Sequence, residues 1–156
     1  MKDSDFMRRA IALSAEMMRA GKGGPFGAVI VKDGAIIAEG YNKVTTANDP
    51  TAHAEIVAIR AACRALKTFS LEGCRIYTSC EPCPMCLGAI YWARLDRIYF
   101  ANTRADAATI GFDDSHIYDE IPLPLDRRSV PMRRLLQRDA LAVFREWDRM
   151  PNKVPY

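Results

Sequence analysis

The sequence predicts one α/β domain, and three observations support this class. An apolar repeat with helical spacing opens the chain, two apolar runs joined by a tight turn follow it, and two helix–strand pairs come next. The chain has 156 residues, of which 49% are hydrophobic and 26% charged, so it can build one sizeable core. We therefore expect a single domain over residues 1–156.

Periodicity and turn signals place the elements along the chain. Asp33 and Gly34 between two apolar runs predict a hairpin, Thr51 or Asp49 is the expected cap of the second helix, and Pro84 is well placed to open the third. The predicted elements are a helix over 4–20, strands over 28–31 and 36–37, a helix over 52–66, a strand over 75–79, a helix from Pro84, a strand over 97–101, a short helix or loop over 103–110, a fifth strand around 129–135 and a helix over 136–150.

The composition limits the cellular setting and the partners. No apolar run approaches the length of a membrane span, and the first residues are too polar for a signal peptide, so we expect a cytoplasmic protein without membrane contact. We expect Cys63, Cys74 and Cys80 to be reduced thiols. The net charge of +3 is too small to choose between a nucleic-acid substrate and a small molecule.

Two predicted helix N-termini bring metal-binding side chains together. The helix over 52–66 carries His53 and Glu55 in its first turn, and the next helix carries Cys83 and Cys86 at its start. One imidazole and two thiolates make the three protein ligands of a catalytic zinc, which keeps its fourth position for water. Glu55 then serves as the nearby carboxylate that carries protons. We predict one zinc ion per chain.

Three other stretches contain candidate substrate contacts. Glycines 23, 24 and 27 let the backbone approach a neighbour closely, and Phe26 among them is expected to line a substrate pocket; alternatively, these glycines only form a tight entry turn. Asp113 and Asp114 lie in a predicted turn, where acidic residues are usually solvated. Tyr156 follows a proline-punctuated tail that cannot simply prolong the preceding helix.

These motifs together resemble the cytidine-deaminase-like superfamily and, within it, the small bacterial guanine deaminases. The histidine–glutamate and proline–cysteine pattern is the zinc nucleobase-deaminase signature, and it does not by itself name a substrate. The motifs that carry the resemblance are GGPFGAVIV (23–31), TAHAE (51–55), TSCEPCPMC (78–86) and GFDDS (111–115).

The resemblance implies a fold, a reaction and an assembly. The fold is a three-layer α/β/α sandwich around a mixed five-stranded sheet, and the reaction is zinc-dependent deamination of guanine to xanthine and ammonia. Asp114 recognises the base and acts as a second proton shuttle, Asn42 forms a hydrogen bond with it, and Ala54 offers backbone groups. The implied assembly is a homodimer that exchanges a C-terminal segment (about 123–156), so that Tyr156 closes the partner's active site.

Other hypotheses stay open at this point. The same superfamily contains tRNA adenosine deaminases, for which an arginine-rich stretch over 127–138 would bind phosphate, although such runs are usually solvated surface and we expect no nucleic-acid partner. Guanosine, another aminopurine or an aminotriazine is a further substrate choice. A Cys-x-x-Cys pair alone also fits redox chemistry, and a non-catalytic zinc module would need Cys80 or His116 as a fourth ligand.

Overall fold

The computed structural model describes residues 2–156, which divide into a compact unit that ends at Asp114 and a second unit, Ser115–Tyr156. The first unit contains the sheet and most of the helices. Its elements are α1 (Asp3–Arg19), β1 (Gly27–Lys32), β2 (Ala35–Tyr41), α2 (Val44–Ala47), α3 (Ala54–Leu66), β3 (Cys74–Cys80), α4 (Pro84–Trp92), β4 (Arg97–Asn102) and α5 (Arg104–Thr109).

The predicted hairpin is confirmed. β1 and β2 pair antiparallel, and the two residues between them, Asp33 and Gly34, have φ values of 50° and 77°. Two successive positive φ angles give the turn whose twist matches that of the flanking strands, and this turn favours glycine at its second position. The Asp-Gly pair therefore fixes the local fold at this point.

The sheet is mixed, as expected, but it has four strands in the order β2-β1-β3-β4. β3 lies antiparallel to β1 and parallel to β4. The expected fifth strand around 129–135 was wrong: this stretch forms no strand, and its residues are mostly exposed. Pro131 has no amide hydrogen to give to a ladder, and neighbouring arginines favour solvent over a sheet interior.

Two apolar clusters make the first unit a three-layer sandwich. Ala28 and Ile30 of β1 belong to a cluster that also contains buried residues of α3 and α4. Val29 and Val31 belong to a second cluster, which contains Phe6 of α1. Because successive side chains of a strand point to opposite faces, β1 is covered on both sides. The sheet therefore lies between α1 and the α3–α4 pair.

Gly40 lets the N-terminus of α3 lie directly against β2. A Cβ atom at this position would overlap the carbonyl oxygen of Ala54 and the amide nitrogen of Ala58. Ala54 and Ala58 are both fully buried. The close approach holds the first turn of α3 against the sheet.

The second unit contains two α-helices and a short 3-10 helix, and none of these three elements has a buried residue. Phe144 and Trp147 of the last helix are 72% and 43% exposed. Within this unit, the Glu120 carboxylate accepts hydrogen bonds from the amide and hydroxyl of Ser129. The elements are α6 (Ser115–Glu120), the 3-10 helix (Leu125–Arg127) and α7 (Gln137–Arg149). In the described chain, 2–156, no helix is both long and apolar enough to cross a bilayer.

Candidate metal and catalytic site

The N-termini of α3 and α4 position the three predicted ligands. His53 is the N-cap of α3 and Cys83 is the N-cap of α4, and both have extended backbones. Pro84 occupies the first turn of α4, where a missing amide hydrogen does no harm, and buried Cys86 follows on the same turn. Two helix ends thus carry all three predicted ligands.

The expectation that Thr51 or Asp49 caps α3 was wrong. The Asp49 carboxylate accepts hydrogen bonds from both the amide and the hydroxyl of Thr51, at 2.8 and 2.7 Å. These bonds form a local turn ahead of the helix, so the helix begins at Ala54, two residues later than predicted. His53 is left as the cap, and its ring is free to face the cysteines.

The three ligand atoms form a group that fits zinc. The Sγ atoms of Cys83 and Cys86 each lie 3.5 Å from Nδ1 of His53, and all three atoms lie within 4.8 Å of one another. Tetrahedral zinc, with bonds of about 2.0–2.1 Å to nitrogen and about 2.3 Å to sulfur, separates such atoms by about 3.6 Å. The set therefore matches a zinc site with three protein ligands, and the ligating nitrogen is Nδ1.

The electrostatics of the group favour a metal-binding thiolate. The pKa of Cys83 is lowered to about 4, chiefly by the hydrogen bond from Cys86, with a further contribution from His53. Cys83 in turn raises the pKa of His53. The bond to Cys83 and burial raise the pKa of Cys86. One sulfur is thus already in the form that binds metal.

Glu55 lies beside the ligand group. It is 6% exposed, and its two carboxylate oxygens have different neighbours. Oε1 lies 3.4 Å from the hydroxyl of Thr78, and Oε2 lies 3.4 Å from Sγ of Cys86. Burial is the main cause of a raised pKa at Glu55, because a charged carboxylate loses hydration there. The structure therefore brings the predicted proton carrier to the predicted metal site.

This geometry agrees with the comparisons with known proteins. Residues 1–102 match the family model described as the cytidine and deoxycytidylate deaminase zinc-binding region. The chain belongs to this deaminase family. The predicted family and the predicted cofactor, zinc, are therefore confirmed.

Individual members of the deaminase family match different shares of the chain. A guanine deaminase from Bacillus subtilis (strain 168) is 55% identical over 156 residues, which is 100% of both chains. The X-ray structure of guanine deaminase from Bacillus subtilis has a TM-score of 0.97 and covers 100% of this chain and 99% of that one. A tRNA-specific adenosine deaminase from Aquifex aeolicus (strain VF5) is 49% identical over 77 residues, or 49% of this chain and 51% of the relative.

Asp114 is electrostatically coupled to the deaminase site. It is half-buried, and desolvation is the main cause of its raised pKa. The negative charge of Cys83 raises this pKa further, whereas Arg104 lowers it. A fully solvated turn residue would lack these effects, so the expectation of a solvated turn does not hold for Asp114.

Asn42 and Phe26 are adjacent in the same unit of the deaminase. Asn42 is 7% exposed. Its backbone amide donates a hydrogen bond to the carbonyl oxygen of Phe26 at 3.2 Å, and its side-chain Oδ1 accepts one from the backbone amide of Val44 at 3.1 Å. A Cβ atom at Gly23 would overlap the carbonyl oxygen of Asn42, which confirms the expected close approach of the glycine-rich stretch. The ring of Phe26 meets the edge of Phe112 at a centroid distance of 4.9 Å.

Two residues that contact predicted site residues were not predicted from the sequence. Thr78 contacts Glu55, and Phe112 packs on Phe26. A polar residue inside an otherwise apolar strand was the available signal for Thr78. Phe112 lies beside the acidic pair at 113 and 114, but nothing local indicates its contact with a ring far back in the sequence.

The residues considered as a fourth ligand lie elsewhere. Sγ of Cys80 donates to the carbonyl oxygen of Thr103 at 3.6 Å, and Nε2 of His116 lies 3.1 Å from the hydroxyl of Ser129 within the second unit. Over residues 2–156, the group of three or more potential ligands contains only His53, Cys83 and Cys86. The donor set is therefore the open one of a catalytic site.

Proposed function

We propose that this protein removes the amino group of guanine by hydrolysis, giving xanthine and ammonia. The observation that carries the proposal is the 55% identity to a guanine deaminase over the whole of both chains. Two tRNA-specific adenosine deaminases, from Aquifex aeolicus and Haemophilus influenzae, match 49% and 76% of this chain at 49% and 37% identity. The higher identity to a guanine deaminase, over the full length of both chains, favours the small base over the RNA substrate.

One zinc ion per chain would be held by Nδ1 of His53 and the Sγ atoms of Cys83 and Cys86. Zinc held at this place would supply an acidified water as the nucleophile. The protein fixes where this chemistry occurs, because all three ligands lie at or next to the ends of packed helices. The new bond joins water oxygen to C2 of guanine, and the bond from C2 to the exocyclic nitrogen breaks.

Glu55 is the proton carrier in the proposal. Its carboxylate takes a proton from the nucleophilic water and delivers it to a ring nitrogen of the base. It then takes the second proton, from the new hydroxyl on C2, and passes it to the leaving amine, which departs as ammonia. Its burial and its raised pKa support the role, because a carboxyl group that holds a proton more firmly can both accept it and pass it on.

Four further residues are assigned to the base. Asp114 accepts hydrogen bonds from ring and amino N–H groups and acts as a second proton shuttle. Asn42 donates from Nδ2, since its Oδ1 already accepts from the Val44 amide. Ala54 offers backbone groups in the first turn of α3, where amides lack partners within the helix. Phe26 forms an apolar wall.

A panel of substrates tests the proposed reaction. The zinc-loaded protein is incubated with guanine, guanosine, adenine, cytosine, cytidine and a tRNA anticodon stem-loop, and ammonia release is measured. We expect guanine to react fastest and adenine at least about 100-fold more slowly, because adenine leaves the Asp114 carboxylate without its donors. Faster reaction of the tRNA or of adenine would favour the adenosine deaminase hypothesis instead.

The proposed assembly is a homodimer that exchanges the segment from about 123 to 156 and places Tyr156 at the partner's site. The exposed apolar side chains of α7 support it, since such side chains normally lie against a partner surface. The proposed compartment is the cytoplasm, which suits five free cysteines.

The exchange has its own test. An inactive Glu55→Gln chain with an intact tail is refolded together with an active chain that lacks residues 153–156, and light scattering gives the mass of each species. Rescue of guanine turnover in the mixed dimer is the expected result. A monomeric mass would rule out the exchange between chains. Full activity of the shortened chain by itself would remove Tyr156 from the site.

A further inference from the structure

The hydroxyl of Thr78 occupies an unusual place in the sheet. Thr78 lies on β3 between two paired strands, opposite Ala28 of β1 and Phe100 of β4, and it is 2% exposed. It follows Ile76 by two residues, so both face the same side of the sheet, the side that contains the α3–α4 cluster. A valine of nearly the same shape would fill this position without a buried polar group.

The hydroxyl has two oxygen neighbours. Oγ1 lies 3.0 Å from the carbonyl oxygen of Cys80 and 3.4 Å from Oε1 of Glu55. A hydroxyl donates one hydrogen and can accept others, and its hydrogen rotates freely about the C–O bond. The two acceptors within its reach are therefore Oε1 of Glu55 and the carbonyl oxygen of Cys80.

The other side-chain neighbour of the Glu55 carboxyl group, Cys86, cannot donate a hydrogen bond to it once metal is held. The Cys86 thiol faces Oε2 at 3.4 Å, but a cysteine holds a metal as its thiolate and then has no hydrogen to donate. Thr78 instead faces the other carboxyl oxygen, Oε1. Its hydroxyl keeps its hydrogen whether or not metal is present.

We propose that Thr78 is a positioning residue that holds Oε1 of Glu55 through a buried hydrogen bond and so keeps Oε2 directed toward the metal ligands. The inference rests on the proposed deaminase function and deepens it. Thr78 does not contact the reacting atoms itself. It acts through Glu55, by limiting the rotation of the carboxyl group that moves the proton.

The test compares three variants of the full-length, zinc-loaded protein. Thr78→Val keeps the shape and removes the hydroxyl, and Thr78→Ser keeps the hydroxyl. Ser79→Ala is the matched control, because it removes the adjacent buried hydroxyl of β3, which accepts from the Gly27 amide rather than contacting Glu55. Zinc content, melting temperature, kcat and KM are measured for each, and kcat is taken on whichever base the unmodified protein deaminates fastest.

A positioning role predicts a specific pattern. Thr78→Val should lower kcat about 10- to 100-fold, the loss expected for a hydrogen bond to a charged group, with KM changed by less than about 3-fold and zinc retained. Thr78→Ser should recover most of this loss. Ser79→Ala should lower the melting temperature and leave kcat within about 2-fold. If Thr78→Val does not fold, Thr78→Ala carries the same comparison.

A spectroscopic measurement separates this inference from the proposed reaction. The carboxyl stretching band of Glu55, obtained from infrared difference spectra against Glu55→Gln, should shift in Thr78→Val and stay in place in Ser79→Ala, whatever base is the substrate. An unshifted band, a kcat of Thr78→Val within about 2-fold, or equal losses in the valine and serine variants would each overturn the role of Thr78. Failure of all bases to react would overturn the proposed function while leaving the infrared result valid.

Discussion

The two units of the chain place their aromatic side chains in opposite environments. Phe6 and Tyr77 of the first unit are 1% and 0% exposed, whereas Phe144 of the second unit is 72% exposed. The first unit buries apolar side chains on both faces of its sheet and thereby fixes the ends of α3 and α4. The second unit has no such core in any of its helices. The contrast shows that the three candidate metal ligands lie in the unit with a packed core, whereas the second unit leaves its apolar side chains exposed.

The largest expected effect lies inside the first unit. Glu55→Gln should lower the rate of guanine deamination about 10²- to 10⁴-fold, because an amide cannot carry the proton. Zinc content, measured by mass spectrometry of the metal, should stay near one per chain, since Glu55 is not a ligand. Loss of zinc in this variant, or an almost unchanged rate, would contradict the division of roles between Glu55 and the three ligands.

The next largest expected effect concerns Asp114, the last residue of the first unit. Asp114→Ala should lower kcat/KM for guanine about 100-fold, as a base with buried donors loses its acceptor, and zinc should be retained. Asp113→Ala is the control, with an expected change of less than about 3-fold. Equal losses in the two variants would show that the turn, and not the Asp114 carboxylate, matters for the substrate.

The same substitution in both units measures the contrast directly. Phe6→Ala should lower the free energy of unfolding by about 3–5 kcal/mol, because it empties a filled position under the sheet. Phe144→Ala should change the unfolding free energy of the dilute chain by less than about 0.5 kcal/mol. In the proposed homodimer, it should raise the dissociation constant about 10-fold. Urea titration and sedimentation measure the two quantities. Comparable unfolding effects would mean that the second unit has a core of its own.

The smallest expected effect concerns the surface of the first unit. Both guanidinium nitrogens that face Glu39 from Arg9 lie 2.7 Å from its carboxylate oxygens, and this hydrogen-bonded pair lowers the pKa of Glu39. The two side chains are about one-third exposed, so Glu39→Gln should lower stability at pH 7 by less than about 1 kcal/mol.

The sign of the pH dependence follows from the lowered pKa. The pair stabilises the fold fully above the pKa of the unfolded chain, about 4.3, and its contribution is lost as the pH falls through the lower folded pKa. The difference in melting temperature between the unmodified protein and Glu39→Gln should therefore shrink on acidification. A difference that grows toward low pH would contradict the assignment.

The sequence predicted those parts of the fold that depend on local signals. The Asp-Gly turn gave the hairpin, and Pro84 marked the start of α4 one residue after Cys83. The zinc ligands were predictable because the types of the ligand residues and their spacing can be read directly from the sequence. Local chemistry was sufficient for each of these three features.

The errors and omissions share a different cause. The fifth strand around 129–135 failed because a strand needs a partner, and a short segment does not reveal whether one is available. The contact between Thr78 and Glu55 joins residues on different elements, 23 positions apart. The cap at His53 depended on a competing turn at Asp49, in which two capping residues bond to each other. Each of these features depends on competition between local structures or on contacts between residues that are far apart in the sequence.

Gly40 has a consequence for how the gene can change. The backbone of α3 lies so close to this position that any Cβ atom would overlap it, and His53 and Glu55 follow from the placement of that helix end. Every single-base change that replaces a glycine codon with that of another amino acid introduces a Cβ atom. Any single-base change at codon 40 that alters the amino acid therefore produces this overlap with the backbone of α3. A lineage that loses this glycine must also shift the start of α3, and with it one metal ligand and the proton carrier together.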